Sequence, residues 1–316
     1  MAWYDIRVSE RVVIGLDVGG TKIEGVVARV RAGELEVLDR ERISTLREEG
    51  YAAVLGRVAG LTTKLVARAG ASVVSVGVGM PGGVERRTGN VKNSNTTCLN
   101  GRPFRADLER AVGASITFEN DANCFALAEA RGGAAREHAE GVVFGAILGT
   151  GVGGGVVIGG RIWSGLQGLA GEWGHHAVFA GAPDARACYC GQRGCLEAYL
   201  SGPAVERDYE ARSGRRLRLA EIASLRQTDV HAAGALDAML DAFARGVANV
   251  IDVLDPSAIV LGGGVSNLDV FYEEGRDRVG ARVFNDELRT PIVKHALGDA
   301  AGVLGAAWLA WATPTE

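Results

Sequence analysis

The chain has 316 residues, of which 47% are hydrophobic, and its formal net charge is −4. Such a chain can bury a substantial core, and its length suits two α/β domains or one large unit. The mild acidity gives no support for binding to nucleic acid or to an anionic membrane. No apolar run approaches the roughly 18 residues of a membrane helix, and residues 1–11 lack an apolar signal region.

The cysteines indicate the redox environment. Three of the five lie between residues 188 and 195, and the other two, Cys98 and Cys124, lie far apart in the sequence. This distribution argues against a disulfide framework and favours a reducing, cytoplasmic location.

Two segments of the chain share one plan: a β-rich apolar run, a glycine turn and a second β-rich run. The four runs are residues 12–18, 23–30, 142–148 and 152–158. The recurrence predicts two related halves whose glycine turns face one cleft.

Strands and helices alternate along the rest of the chain. The other predicted strands are residues 35–43, 73–78, 115–119 and 258–261, and the predicted helices are residues 50–69, 105–112, 121–131, 235–254 and 302–312. Alternation at this spacing predicts an α/β fold with layered helices and sheets. The strongest candidate for a domain boundary lies near residue 120.

The first glycine turn has the composition of a phosphate-binding loop. It reads Asp17-Val18-Gly19-Gly20-Thr21-Lys22. Glycines let backbone N–H groups approach phosphate oxygens closely, and Thr21 and Lys22 add a hydroxyl and a cation. Asp17 can reach a phosphate-bound Mg²⁺ through water. An ordinary β-hairpin turn explains the same residues equally well.

Two segments match the pattern G-x-G-x-x-G, residues 77–82 and residues 149–154. Neither is followed by an amphipathic helix, which a dinucleotide-binding fingerprint requires. The pattern G-x-x-x-x-G-K-[ST] is absent from the sequence, which excludes a P-loop.

Asp121 is a candidate catalytic base. Phosphoryl transfer to a hydroxyl needs a carboxylate that accepts the hydroxyl proton, and Asp121 follows a predicted strand at the start of a helix. Its neighbours Asn120 and Asn123 can hydrogen-bond sugar hydroxyls. The alternative is that Asn120 or Asp121 only caps the helix, and spacing alone favours this alternative.

Residues 171–197 contain a candidate metal site. His175, Cys188, Cys190 and Cys195 fit a closed tetrahedral Cys₃His zinc site. The nearby carboxylates Glu172 and Glu197 are left free to face a polar ligand. A set of buried, reduced cysteines is the alternative.

Five motifs, in order, resemble the ROK family of sugar kinases and repressors. They are residues 17–22, Glu119-Asn120-Asp121-Ala122-Asn123, residues 148–151, residues 171–175 and the cysteine loop 188–195. The resemblance covers nearly the whole chain. It implies two ribonuclease-H-like (actin-like ATPase) α/β domains flanking an active-site cleft that binds ATP and Mg²⁺.

The resemblance also implies a domain arrangement. Residues 1–120 would form the N-terminal domain, and residues 121–301 a larger C-terminal domain with the zinc loop. The C-terminal helix, residues 302–312, would pack back on the N-terminal domain.

The same resemblance assigns roles to residues. Asp121 would be the catalytic base, and structural zinc would be held by His175, Cys188, Cys190 and Cys195. The sugar contacts would be Asn95, Asn120, Asp121, Glu172, His175 and Glu197. The ATP and Mg²⁺ contacts would be Asp17, Gly19, Gly20, Thr21, Lys22, Gly149, Thr150, Gly151, Gly262, Gly263 and Gly264.

Within the family, residues 89–104 and 255–267 most resemble bacterial fructokinases that also accept mannose. This resemblance predicts that the protein phosphorylates the 6-hydroxyl of a hexose, with fructose as the first choice of substrate. N-acetylglucosamine kinase and glucokinase are the alternatives, and a homodimer is usual in the family. Only 16 residues precede Asp17, fewer than a helix-turn-helix domain needs, so a DNA-binding repressor is not expected.

Overall fold

The computed structural model of the protein describes residues 10–70, 75–85 and 87–313. Its strands are β1 (Arg11–Val18), β2 (Lys22–Arg31), β3 (Glu34–Ser44), β4 (Ser75–Met80), β5 (Gly83–Val84), β6 (Val91–Lys92), β7 (Ile116–Asn120), β8 (Val142–Leu148), β9 (Val152–Ile158), β10 (Arg161–Ile162), β11 (Ala258–Gly262) and β12 (Ile292–Lys294).

The helices alternate with these strands. They are α1 (Tyr51–Ala69), α2 (Phe104–Val112), α3 (Asp121–Gly132), α4 (Glu197–Leu200), α5 (Gly202–Ser213), α6 (Leu219–Ser224), α7 (Val230–Leu254), α8 (Glu274–Gly280) and α9 (Ala301–Ala312). No helix among the described residues combines the length and the apolarity needed to cross a membrane.

The strands form two five-stranded sheets with the same topology. The order is β3-β2-β1-β4-β7 in the first sheet and β10-β9-β8-β11-β12 in the second. In both sheets the first three strands are antiparallel and the last two join in parallel. The predicted duplication therefore extends beyond the glycine turns to whole sheets, and each sheet centres one domain.

Most predicted elements lie within two residues of the observed bounds. The predicted strand 73–78 falls partly on residues 71–74, which are outside the described residues. The predicted helix 235–254 begins earlier, at Val230, because the Asp229 carboxylate caps it by accepting from the backbone N–H groups of His231 and Ala232. The short elements α4, α6, α8, β5, β6, β10 and β12 are absent from the prediction because few residues specify each of them. The longer helix α5 is also absent, because its apolar periodicity is weak.

Helix α9 lies between the first sheet and α3, with most of its side chains buried. Gly15 and Gly77 face each other across β1 and β4 and let the helix backbone approach the sheet. A Cβ atom on Gly77 would lie 2.1 Å from the Ala306 carbonyl oxygen, and one on Gly15 would lie 2.4 Å from the Val303 carbonyl oxygen. At these two glycines the backbone of α9 therefore contacts the backbone of the sheet directly, with no side chain between them.

A buried carboxylate joins α3 to the chain entering α9. Glu129 is fully buried, and its two oxygens accept hydrogen bonds from the backbone N–H groups of Ala134, Ala296 and Leu297 at 2.8–3.1 Å. Backbone donors compensate the loss of hydration that a buried charge otherwise suffers. Glu129 is not predicted from the sequence, because nothing in the local pattern distinguishes it from a solvent-exposed helix glutamate.

Candidate active site

The passage from β7 into α3 determines how the central polar residues are presented. Asn120 caps the helix: its Oδ1 atom accepts a hydrogen bond from the Ala122 N–H at 2.8 Å, and its Nδ2 atom donates to the Gly82 carbonyl at 2.9 Å. The capping alternative therefore applies to Asn120. Asp121, the first residue of α3, also accepts from the Ala122 N–H at 2.9 Å.

The environment of Asp121 raises the pKa of its carboxyl group and so makes its carboxylate a stronger base. Burial raises the pKa of this carboxyl above its ordinary value of 3.8, the hydrogen bond from the Ala122 N–H lowers it, and the charge of Glu172 raises it further. A carboxylate with a raised pKa binds a proton more readily, which is the property that a general base requires.

Asp17 stands at the end of β1 and interacts electrostatically with Asp121. Burial, and next the charge of Asp121, raise the pKa of Asp17 from 3.8 to about 7, while Lys22 lowers it. Gly302, at the start of α9, lies so close that a Cβ there would be 2.7 Å from Asp17 Oδ2. Two carboxylates that disfavour each other's ionisation form a natural place for a cation.

The first glycine turn connects β1 to β2. The Gly19 N–H donates to the Lys22 carbonyl at 2.9 Å, and the Thr45 hydroxyl donates to the Gly19 carbonyl at 2.7 Å. Lys22 reaches Asp299 at 3.7 Å. The turn is thus a β-hairpin turn, as the alternative proposed, in which Gly20 is half-buried and Thr21 is exposed.

The second glycine turn lies at the same place in the second sheet. The Gly149 N–H donates to the Gly151 carbonyl, and the Gly149 carbonyl accepts from the Gly202 N–H, both at 2.9 Å. Gly263 has a positive φ of 81°, and a Cβ on it would lie 2.4 Å from the Leu148 carbonyl oxygen. Gly263 therefore packs directly against the strand that ends at the second turn.

A cleft of about 370 Å³ lies beside α3. Residues of both domains line it, and among the predicted sugar contacts these include Asn120 and Glu172. Glu119, Asn123 and Ser164 add further polar groups to its wall. The concave shape and the mixture of acids and amides suit a polyhydroxylated ligand.

Other predicted sugar contacts do not line this cleft. Asn95 lies beside Gly20, where a Cβ would be 3.6 Å from Asn95 Oδ1. Glu197 Oε2 accepts a hydrogen bond from the Val152 N–H at 2.8 Å, next to the second glycine turn. The structure thus places Asn95 and Glu197 next to the two glycine turns.

His175 belongs to the cysteine cluster. Its Nδ1 atom lies 3.7 Å from the Cys188 sulfur, its Nε2 atom lies 3.2 Å from the Tyr189 hydroxyl, and the sulfurs of Cys190 and Cys195 are 3.6 Å apart. One ligand atom from each of the four predicted residues lies within 4.8 Å of the others. Tetrahedral zinc–thiolate bonds place sulfurs about 3.8 Å apart, so the donor set fits zinc.

Two charged residues near the cleft and turns were not identified from the sequence. The Arg47 guanidinium lies 3.1 Å from the position of a Cβ on Gly20. Lys92, on the small β5–β6 ribbon, lines the cleft. Arg47 comes from a segment without a recognisable motif, and Lys92 lies in residues 89–104, where the resemblance gave it no role, so only the folded chain brings them to the site.

The sequence pattern of the ROK family matches residues 13–313. An N-acetyl-D-glucosamine kinase of Photobacterium profundum is 38% identical over 303 residues, covering 93% of this chain and 98% of that protein.

Solved structures agree with the family match. The ROK hexokinase of Thermus thermophilus is 35% identical with a TM-score of 0.84, covering 95% of this chain and 98% of that one. A ROK family glucokinase of Streptomyces griseus, in complex with glucose and AMPPNP, is 28% identical with a TM-score of 0.72, covering 94% and 98% respectively. The predicted α/β fold of two ribonuclease-H-like, actin-like ATPase domains is confirmed.

The prediction of fructose as substrate is not confirmed, since the relative at 38% identity is an N-acetyl-D-glucosamine kinase, which corresponds to the alternative. The broader prediction of a ROK sugar kinase is confirmed. The chain belongs to the ROK family, and it is related to the sugar kinases of that family.

Proposed function

We propose that the protein is an ATP-dependent hexose kinase whose preferred acceptor is the 6-hydroxyl of N-acetyl-D-glucosamine. The observation that carries the proposal is Asp121, whose pKa is raised at the head of α3 beside the cleft-lining Asn120 and Glu172. The acceptor is taken from the N-acetylglucosamine kinases at 38% identity.

In the proposed reaction, Asp121 accepts the proton of the sugar hydroxyl. The hydroxyl oxygen forms a bond to the γ-phosphorus of ATP as the bond from that phosphorus to the bridging oxygen of ADP breaks. Positioning and charge neutralisation supply most of the rate enhancement in such transfers. Asn120 orients the acceptor from the same turn of chain, because its own side chain is held by the Ala122 N–H and the Gly82 carbonyl.

ATP would lie between the two glycine turns. Gly19, Gly20, Thr21 and Lys22 offer donors from the first domain, while Gly149, Thr150, Gly151 and the glycines 262–264 offer close backbone approach from the second. Asp17, whose pKa is about 7, would ionise fully next to a bound cation. Mg²⁺ would there neutralise phosphate charge.

We propose a structural role for zinc. With His175, Cys188, Cys190 and Cys195 as ligands, all four positions of a tetrahedral ion are filled by protein. The ion would hold a segment of turns that follows directly on Glu172. We also propose a cytoplasmic enzyme, where ATP and reduced thiols are available, and the homodimer usual in the family.

Coupled ADP-release rates across five sugars test the function: N-acetylglucosamine, fructose, mannose, glucose and N-acetylmannosamine. We expect the highest kcat/KM for N-acetylglucosamine. A fructose value above that for N-acetylglucosamine would restore the first prediction and overturn the proposed acceptor. Absence of ADP release with every hexose would overturn the kinase proposal itself.

A further inference from the structure

One carboxylate in the cleft wall joins three separate pieces of chain. Glu119 is the penultimate residue of β7 in the first domain. Its Oε1 atom accepts hydrogen bonds from the Asn120 N–H at 3.1 Å and from Asn123 Nδ2 at 2.9 Å. Its Oε2 atom accepts from the Ser164 hydroxyl, in the second domain, at 2.6 Å.

Ser164 lies in an irregular segment that follows β10. We call this segment, residues 163–172, the cleft segment. It has little regular hydrogen bonding, but the Ala170 N–H donates to the Ser164 carbonyl at 3.2 Å and the Glu172 N–H donates to the Leu169 carbonyl at 3.2 Å. The first bond closes a loop from Ser164 to Ala170, and the second overlaps that loop and ends at Glu172. Fixing the position of Ser164 therefore restrains Glu172.

The large apolar side chains of the cleft segment do not anchor it. Trp163, Leu166 and Leu169 are 57%, 85% and 44% exposed, whereas the small side chain of Ala170 packs against the core. A segment with so little buried apolar surface gains little from the hydrophobic effect and depends mainly on polar contacts for its position. A short hydroxyl–carboxylate hydrogen bond is among the stronger of these contacts.

The far end of the cleft segment has a fixed attachment. A Cβ on Gly171 would lie 2.3 Å from the Gly154 carbonyl oxygen, so the backbone here lies directly against β9. The Trp173 indole N–H then donates to the Gly153 carbonyl at 2.7 Å. Glu172 therefore lies beside backbone that is anchored on β9, at the end of the loop whose position depends on Ser164.

Glu119 also orients a neighbouring amide. Because a carboxylate only accepts hydrogen bonds, the Asn123 side chain must turn its NH₂ group toward Glu119. Asn123 is buried, with 5% of its surface exposed, and its Oδ1 atom has no partner within the described part of the chain. This atom is inaccessible to solvent and lies beside Gly155 of β9, so the contact with Glu119 fixes the orientation of the amide within the cleft wall.

We propose that Glu119 and Ser164 form a latch between the two domains that positions Glu172 for the sugar and holds Asn123 in the cleft wall. Glu119 is a positioning residue, since it acts through the residues it holds. The inference rests on the proposed sugar kinase function and assigns to this cleft a determinant of sugar affinity. ATP, which would lie toward the glycine turns, should not depend on the latch.

Removing the hydroxyl in Ser164→Ala tests the latch. We expect the KM for N-acetylglucosamine to rise about tenfold or more, which is the effect of losing a hydrogen bond to a charged group. The KM for ATP should stay within about twofold of wild type. Ser164→Thr keeps the hydroxyl and should restore the sugar KM to within about twofold. Ser224→Ala, which removes a hydroxyl on the exposed end of α6, is the matched control.

A double-mutant comparison separates the latch from general damage. Glu119→Ala also loses the Asn123 contact and should raise the sugar KM more than Ser164→Ala does. The double variant should be no worse than Glu119→Ala, because the shared bond is already lost. Additive losses, or a sugar KM unchanged in Ser164→Ala, would overturn the latch. A wild-type enzyme inactive on every hexose would instead overturn the proposed function, and the latch with it.

Discussion

At the residue scale, the site is a group of carboxylates whose environments differ. Asp17 and Asp121 are both raised in pKa, chiefly by burial, and each lies in the field of another acid. Glu119 instead accepts hydrogen bonds from three donors, which hold its side chain in place. These environments suit the three proposed roles: Asp121 as proton acceptor, Asp17 as the acid that faces a cation, and Glu119 as the acid that holds neighbouring groups in place.

Asp121→Asn should lower kcat by about 10³-fold, within the range of general-base contributions. Asparagine keeps a side-chain oxygen that can accept from the Ala122 N–H, so the start of α3 should survive. Coupled ADP release and thermal unfolding measure the two effects. The control is Asp286→Asn, at an exposed position. Retention of more than about a tenth of wild-type kcat would contradict a base role for Asp121.

Asp17→Asn should stabilise the ligand-free fold in a pH-dependent manner. The pKa of Asp17 in the folded protein, about 7, exceeds its ordinary value of 3.8, so the folded state binds this proton more tightly than the unfolded state. Ionisation therefore costs stability progressively as the pH rises from about 4 to about 7. At about 1.4 kcal/mol per pKa unit, the upper limit is about 4 kcal/mol.

Thermal unfolding without Mg²⁺ and ATP checks this prediction. The gain in Tm of Asp17→Asn over wild type should be small near pH 4, increase to about pH 7 and level off above it. The same variant should lose activity, because it removes a charge that faces the proposed cation. A gain in Tm that does not vary between pH 4 and pH 8 would contradict the raised pKa.

At the element scale, the segment carrying the cysteines is built of turns. Between these turns it makes two isolated bridges, Ala177 with Cys195 and Ala187 with Arg193, and Arg186 ties it to Asp208 of α5 by an ion pair. Tyr189 is 81% exposed, although its hydroxyl reaches His175. Four ligand atoms within 4.8 Å would add a cross-link to this segment when zinc binds.

Purified protein should contain about one zinc per chain, and Cys190→Ala should lose it. Loss of the ion should raise the sugar KM, since the loop follows directly on Glu172, while the KM for ATP should change less. Metal analysis and steady-state kinetics measure both. The control is Cys98→Ala, which removes a thiol outside the cluster. Less than about half an equivalent of zinc in wild type would argue for plain reduced cysteines.

At the scale of the whole molecule, α9 and α3 are the shared supports of the two domains. Helix α9 packs on β1 and β4 of the first sheet and on α3, which in turn packs on β8 and β9 of the second. Gly305 lies against the backbone of Cys124, where a Cβ would be 1.9 Å from the carbonyl oxygen. Asp121 heads α3 and Asp17 lies against the start of α9, so the site inherits its geometry from this packing.

Gly77→Ala should destabilise the protein by about 3 kcal/mol or more, because the new methyl group would overlap the Ala306 carbonyl in a contact between two backbones. Gly60→Ala is the opposite control. Gly60 is exposed in the interior of α1 with nothing within 4 Å of its Cβ position, so alanine should stabilise by about 1 kcal/mol. Denaturant unfolding measures both, and a neutral Gly77→Ala would contradict the close packing of α9.

Local sequence patterns determined the class of fold and the chemical types at the site. Apolar runs broken by glycine specify hairpins such as β1–β2 and β8–β9, and a strongly amphipathic pattern specifies α1 and most of α7. The motif around Asp121 and the spacing of the cysteines carried enough information to indicate a base and a metal site. These features depend on residues close in sequence, and such residues keep their relation in any fold.

Relations between distant segments were decided by the tertiary structure alone. The contact of Glu119 with Ser164 spans 45 residues, and that of Glu129 with Leu297 spans 168. No local pattern encodes them, because each residue taken alone resembles an ordinary surface glutamate or serine. The same limit explains why Asn95 and Glu197 lie at the glycine turns and not in the cleft. Sequence therefore determined which groups are present, and packing of α3 and α9 between the sheets decided which of them meet.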